Sequence, residues 1–350
     1  MPRPFVVECR GLSKAFGNRR AVESVDLEVR RGEVLSLLGP SGCGKTTMLR
    51  LIAGFERPDA GDVLLDGRHV AGPTTNVAPE RRRVGFVFQD YALFPHLTVA
   101  DNVAYGLGPK RRFGRGRSSP RVDEMLELVG LTDVSDEYPH QLSGGMQQRV
   151  AIARALAPGP TIVLLDEPFS NLDAALRARV RDEVRAILAT ADASTIFVTH
   201  DQEEALSIAD RVAVMREGRV HQVDSPGGLY AHPADRFVAT FVGDAQLLLA
   251  RAERGASSVV TPVGAVRLSE PAPDAALELA IRPEQVRLSR DGSGVGVVTG
   301  RTFYGHDQLV EVSLGETGTL RARLGPAQAF RIGERVSPSV VGTVMAYAAE

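Results

Sequence analysis

Glu33-Val-Leu-Ser-Leu-Leu-Gly39-Pro-Ser-Gly-Cys-Gly-Lys45-Thr46-Thr47 decides how this chain folds. The apolar run at 33–38 suits a buried strand, the glycines that follow cannot continue one, and residues 46–55 then place Leu49, Leu51 and Ile52 at helical spacing before a stop at Gly54. Strand, glycine loop, helix is the order a phosphate cradle requires. Backbone amides at Gly42 and Gly44 can approach phosphate oxygens because no side chain blocks them, and the helix N-terminus adds partial positive charge. Residues 39–46 match the P-loop pattern in full. In that pattern Lys45 neutralises the β- and γ-phosphates of ATP and the Thr46 hydroxyl ligates Mg²⁺. ATP and Mg²⁺ are therefore the expected ligands, with residues 39–47 (Gly39, Pro40, Ser41, Gly42, Cys43, Gly44, Lys45, Thr46 and Thr47) as the binding segment. Cys43 lies where a helix N-terminus would lower a thiol pKa, yet it reads as filling a permissive loop position rather than as a redox switch.

Outward from the loop, strands and helices alternate as in a mostly parallel sheet, with further buried strands at 161–165 and 194–199. The first delivers Asp166 and Glu167 at its carboxyl end, where open α/β sheets bind ligands. Asp166 is placed to hold Mg²⁺ and Glu167 to polarise the water that attacks the γ-phosphate. Residues 90–157 read as a helical insert, with helices at 122–129 and 150–157. Before the second of these comes Leu142-Ser-Gly-Gly-Met146-Gln-Gln-Arg149, in which Ser143 offers a hydroxyl and Gly144 and Gly145 offer open amides, the makings of a second anion site. After Gly243 the texture changes to brief alternating runs at 276–282, 295–303 and 309–314, broken by Gly, Pro and Asp, which read as a small all-β domain.

Composition narrows the function classes. At 350 residues the chain has room for two domains, and 41 basic against 43 acidic residues give a net charge of −2, without the positive field that duplex nucleic acid demands. The basic run from Lys110 to Arg117 has almost no interleaved aromatics and reads as a solvated loop of the insert. Two cysteines, Cys9 and Cys43, are too few for a disulfide framework or a structural zinc site. No leader-like segment opens the chain and no run approaches the roughly 20 apolar residues of a spanning helix, so any membrane contact is expected to be indirect.

With the P-loop, the 142–149 segment and Asp166-Glu167 in this order, residues 1–240 resemble the ATPase subunit of ATP-binding cassette (ABC) transporters. The resemblance implies a P-loop NTPase α/β fold, a RecA-like core with an antiparallel β subdomain and a helical insert, followed at 241–350 by a small all-β OB-like domain. It implies a homodimer in which the signature residues Ser143, Gly144, Gly145 and Met146 close in trans on the partner's ATP; Met146 stands where Gln is usual. Phe16 corresponds to the aromatic that stacks on adenine, Gln89 to the glutamine that senses Mg²⁺ and the attacking water, and His200 to the switch histidine at the γ-phosphate. Asp173, in Ser170-Asn-Leu-Asp173, corresponds to the dimer-seam loop, with Asn171 where Ala is commoner. A kinase or GTPase reading fails on the signature segment and on the lack of an Asn-Lys-x-Asp motif.

The tail points to import. Ile281-Arg-Pro-Glu284 in a β-rich region resembles the OB-like (TOBE) extension of importer ATPases for sugars, polyamines, sulfate and ferric iron. Residues 81–107 and Phe303-Tyr-Gly-His-Asp307 look most like the ferric-iron and polyamine members, and ferric iron is the expected cargo. The implied partners are two integral-membrane permease subunits and an extracytoplasmic substrate-binding protein, with the ATPase peripheral on the cytoplasmic face of the inner membrane. A DNA-repair or translation ATPase of the same superfamily is the competing class, against which stand the single P-loop, the single signature and the lack of a long inserted arm.

Overall fold

The computed structural model describes residues 5–107 and 119–349, so the basic run at 110–117 lies outside the described residues. The chain divides into two compact units, Met1–Pro226 and Gly227–Glu350. The division falls before the expected boundary at 240/241, because the helix Arg236–Phe241 packs Ala239 against Ala245 and Ala280 of the second unit.

Among the described residues the first unit holds two sheets. Strands β1 (Phe5–Phe16), β2 (Arg19–Arg30), β4 (Ala60–Leu65) and β5 (Arg68–Ala71) form an antiparallel sheet in the order β2-β1-β4-β5. The six-stranded sheet runs β10-β9-β3-β8-β7-β6, built from β3 (Val34–Leu38), β6 (Val84–Val87), β7 (Ile162–Asp166), β8 (Thr195–Thr199), β9 (Arg211–Arg216) and β10 (Arg219–Asp224). All its pairings are parallel except β9 with β10 at one edge. Every residue of β7 and β8 is buried, as a parallel strand covered on both faces requires.

Between the two sheets lies the helix Lys45–Ala53, whose Met48, Leu49, Leu51 and Ile52 are fully buried and each contribute roughly 1.5–3 kcal/mol. Its carboxyl end is held by Gly54 in the left-handed region and by Arg82, which donates from Nη1 to the Leu51 and Ile52 carbonyls at 2.8 and 2.9 Å. Burial pushes the Arg82 guanidinium down to about 10. A methyl group at Gly54 would meet that guanidinium at 2.5 Å, so glycine is required there on two counts.

The insert contributes helices Val99–Tyr105, Pro120–Leu128 and Gly144–Leu156. The last begins at Gly144 rather than at 150, a correction to the sequence reading: Ser143 is its N-cap, and its Oγ accepts from the Met146 amide at 3.4 Å. The signature glycines thus form the first turn of a helix instead of a preceding loop.

The second unit is all-β apart from the helices Pro226–Ala231 and Arg236–Phe241 and short 3₁₀ turns. Ten strands from β11 (Gln246–Arg251) to β20 (Thr343–Ala348) form two five-stranded sheets over one core that includes Leu248, Leu279, Ile281, Val310, Val312 and Val336. Pairing is antiparallel except for one short parallel stretch, Arg267↔Thr343 and Leu268↔Val344. Ile281 ends a buried strand, and Arg282 is buried with Nη1 donating to the Val242 carbonyl at 2.7 Å and Nη2 to the Tyr230 carbonyl at 2.5 Å. Among the described residues no helix is long and apolar enough to cross a membrane.

Candidate functional site

Three loops meet because three parallel strands share a register. Leu38 pairs with Thr199 and Asp166 with Val198, so β3, β7 and β8 end at one edge and release Gly39, Glu167 and His200 side by side. The loop after β3 then turns through Gly42 (φ 77°) and Gly44 (φ 112°), conformations that favour glycine. A Cβ at Gly44 would lie 2.0 Å from the Ala21 carbonyl oxygen and one at Gly39 would lie 2.2 Å from that of Met215. The loop is therefore pressed against β2 on one side and β9 on the other, with the Cys43 amide donating back to the Pro40 carbonyl at 3.3 Å.

A cavity of about 460 Å³ opens over this loop, lined by Phe16, Arg19, Ala21, Ser41, Gly42, Gly44, Lys45, Thr46, Thr47 and Glu167. Lys45 is 5% exposed, with Nζ donating to the Gly39 and Pro40 carbonyls at 2.6 and 3.0 Å. Thr46 Oγ1 donates to Asp166 Oδ1 at 2.9 Å. Asp166 is 9% exposed, and burial raises its carboxyl above the ordinary range, with the Thr46 hydrogen bond working against that shift and the Glu167 charge adding to it. A hydroxyl beside a carboxylate is a set of hard oxygens that suits Mg²⁺. Among the described residues no group of three His, Cys, Asp or Glu could hold a metal ion by protein ligands alone, so a cation here would draw its remaining ligands from substrate oxygens and water.

Glu167 adopts φ 46°, and this left-handed turn aims its carboxylate into the cavity. Its amide donates to the Val198 carbonyl at 3.1 Å, and its Oε2 lies 3.4 Å from His200 Nδ1. A carboxylate at the phosphate-loop cavity, oriented by an imidazole, can accept a proton from a water held there.

The structure gathers most of the expected residues but not all. Phe16, 47% exposed, reaches the cavity, with the Lys14 ammonium 5.2 Å from its ring centroid. Gln89 is exposed and does not line the cavity; its carbonyl oxygen accepts from Asn171 Nδ2 at 2.8 Å. Ser143, Gly144, Gly145 and Met146 are away from the cavity of their own chain, as is Asp173, which caps the helix Ala174–Thr190 by accepting from the Leu176 amide at 2.9 Å.

Cys43 carries none of the lowered thiol pKa that a redox switch would need. It is buried, and burial pushes its thiol up despite the lowering influence of Lys45, the opposite of the direction expected of a helix N-terminus. His306 lies 3.6 Å from Asp307, whose other oxygen is 3.5 Å from Arg323 Nε. Sequence reading missed Arg19 and Ala21. Arg19 Nη2 donates to the Gly42 carbonyl at 2.6 Å, and only the β1–β2 hairpin brings it there.

Comparison with known proteins bears on these loops. Residues 22–170 match the ABC transporter family and residues 279–340 match the TOBE domain family. A sulfate/thiosulfate import ATP-binding protein of Chromobacterium violaceum is 52% identical over 276 residues, covering 79% of this chain and 74% of that protein. An Fe(3+) ions import ATP-binding protein of Rhodococcus jostii is 46% identical over 352 residues, 98% of this chain and 99% of that one. A spermidine/putrescine import ATP-binding protein of Rubrobacter xylanophilus is 47% identical over 304 residues, 84% of this chain and 79% of that one. Among solved structures, a dimeric ATP-binding cassette in a post-hydrolysis state with ADP and Pi is similar at TM-score 0.52 and 33% identity, over 63% of this chain and 98% of that one.

Proposed function

This chain belongs to the ATP-hydrolysing subunits of ABC importers and carries their TOBE domain, and we propose that the cargo whose entry it energises is ferric iron. One observation carries the chemistry: Glu167, backed by His200, lines the same cavity as Lys45 and Thr46. In this reading Phe16 stacks on adenine while the amides of the 39–47 loop and Lys45 bind the phosphates. Glu167 takes the proton of the attacking water and His200 orients it. Thr46 and Asp166 would hold Mg²⁺, which would supply charge neutralisation at the phosphates. Gln89 stands clear of the cavity, and its proposed part, sensing Mg²⁺ and the attacking water, requires its segment to move toward this centre.

Ser143 is exposed and Gly144 half-buried, clear of their own chain's cavity, which supports their use on the ATP of a second copy, with Asp173 at the seam. The likeness to a cassette solved as a dimer supports the same arrangement. Docking to two permease subunits on the cytoplasmic face draws support from a cleft of about 420 Å³ beside the insert, lined in part by Phe86 and Tyr105, with exposed Phe55 and Phe88 packed on Phe86. A binding protein outside the membrane would present the cargo.

For the cargo, three Rhodococcus jostii proteins named for Fe(3+) import align over 98, 99 and 98% of this chain, including the second unit. Polyamine or sulfate import is the second reading, favoured by the 47% and 52% identities over shorter spans. A deletion strain should fail to grow under iron limitation and recover with the wild-type gene but not with Lys45→Ala. Normal growth without iron, together with failure on limiting spermidine or sulfate, would overturn the iron assignment and leave the importer reading in place.

A further inference from the structure

One side chain ties the segment that carries Gln89 to the turn that carries Glu167. Asn171 Nδ2 donates to the Gln89 carbonyl oxygen at 2.8 Å, and because that acceptor is a backbone carbonyl, only the NH₂ end of the amide can face it. The turn holding Asn171 is itself fastened to Glu167, whose carbonyl accepts from the Ser170 amide at 3.2 Å and from Ser170 Oγ at 2.9 Å. Beyond Gln89 the chain passes through Tyr91 (φ 61°) and Ala92 (φ 44°), two consecutive non-glycine residues in the left-handed region. Their carbonyls accept from Arg154 Nη2 and Nη1 at 2.7 and 2.6 Å. Such backbone persists only where its surroundings over-determine it. The segment is therefore gripped from two sides, by Arg154 of the helix that Ser143 caps and by Asn171 of the turn after Glu167.

We infer that Asn171 is a positioning residue for ATP hydrolysis, holding the Gln89 segment in place relative to Glu167. It lines no part of the nucleotide cavity, so it acts on the arrangement of the reacting groups and not on nucleotide affinity. Arg154 cannot substitute for it, since its bonds fix Tyr91 and Ala92 and leave the Gln89 carbonyl to Asn171. The inference rests on the roles proposed above for Glu167 and Gln89.

Two variants of the full chain test it. Asn171→Asp keeps shape and loses the donor, placing a carboxylate against a carbonyl, and Asn171→Ala removes the link without adding charge. Both should exchange amide hydrogens faster in the peptide spanning residues 89–94 while peptides of the helix Lys45–Ala53 are unchanged, read by mass spectrometry. Because the bond is exposed and competes with water, kcat for ATP should fall about threefold to tenfold, with KM and melting temperature as in the wild type. Unchanged exchange at 89–94, or a kcat within about twofold of wild type, overturns the inference. Absence of ATP turnover in the wild type would strike the proposed function instead, and the exchange comparison would still decide the link.

Discussion

Glu167 sits at φ 46°, a backbone state that costs a non-glycine residue about 1–3 kcal/mol and is held here by the bond from its amide to Val198 and by Ser170 at its carbonyl. That geometry turns the carboxylate toward the phosphate loop, beside an imidazole 3.4 Å away. Glu167→Gln keeps the shape and the loop contacts and removes only the basic oxygen. Phosphate release should fall by roughly 10²–10⁴-fold while ATP affinity by calorimetry stays within about threefold. Unchanged turnover would remove Glu167 from its proposed role. Lys45, Thr46, Asp166 and Glu167 were legible in the sequence because their spacing from a strand end is fixed by local chain geometry. Arg19 and Ala21 were not, since nothing in Gly17-Asn-Arg-Arg-Ala21 says which loop that hairpin will lie against.

The helix Gly144–Leu156 carries the element-scale lesson. Two glycines after a serine suggest a loop, yet Ser143 caps the helix and the glycines lie in its first turn, where missing side chains allow close approach. A methyl group at Gly145 would meet Val180 Cγ2 at 2.8 Å, and Val180 is buried in the helix Ala174–Thr190. Gly145→Ala should gain at most about 1 kcal/mol of helix propensity and lose about 1–3 to overpacking. We expect a net loss, read as a lower urea midpoint at unchanged slope; a raised midpoint would show that Val180 yields freely. The apolar runs of β7 and β8 were visible in sequence, but their neighbours in the sheet were not. A run of five buried residues says that both faces are covered and is silent on what covers them.

At the scale of the whole molecule, each unit has its own core, and within the second unit the buried Arg282 joins the helices to the sheets. Arg282 bonds the Tyr230 and Val242 carbonyls and stacks 3.6 Å from the centroid of the Tyr230 ring, while burial lowers its guanidinium to about 10. Arg282→Met should cost roughly 2 kcal/mol, since two buried carbonyls lose a charged donor. Calorimetry should show this as a lower transition for the second unit, while ATP still raises that of the first; loss of the ATP response would contradict the division proposed for the chain. The sequence by itself determined the phosphate loop, the acidic pair at the carboxyl end of β7, the two-part organisation and the all-β character of the second part. These follow from short-range spacing, hydrophobic period and turn chemistry, which a chain carries locally. Only the tertiary structure decided that Gln89 stands clear of the cavity, that Arg19 enters it, that Cys43 is sealed by burial and that Asn171 reaches Gln89. Each of these depends on which distant segments meet at the loop, through the parallel register of β3, β7 and β8 and through the β1–β2 hairpin laid against it, a choice made by packing two sheets around one helix.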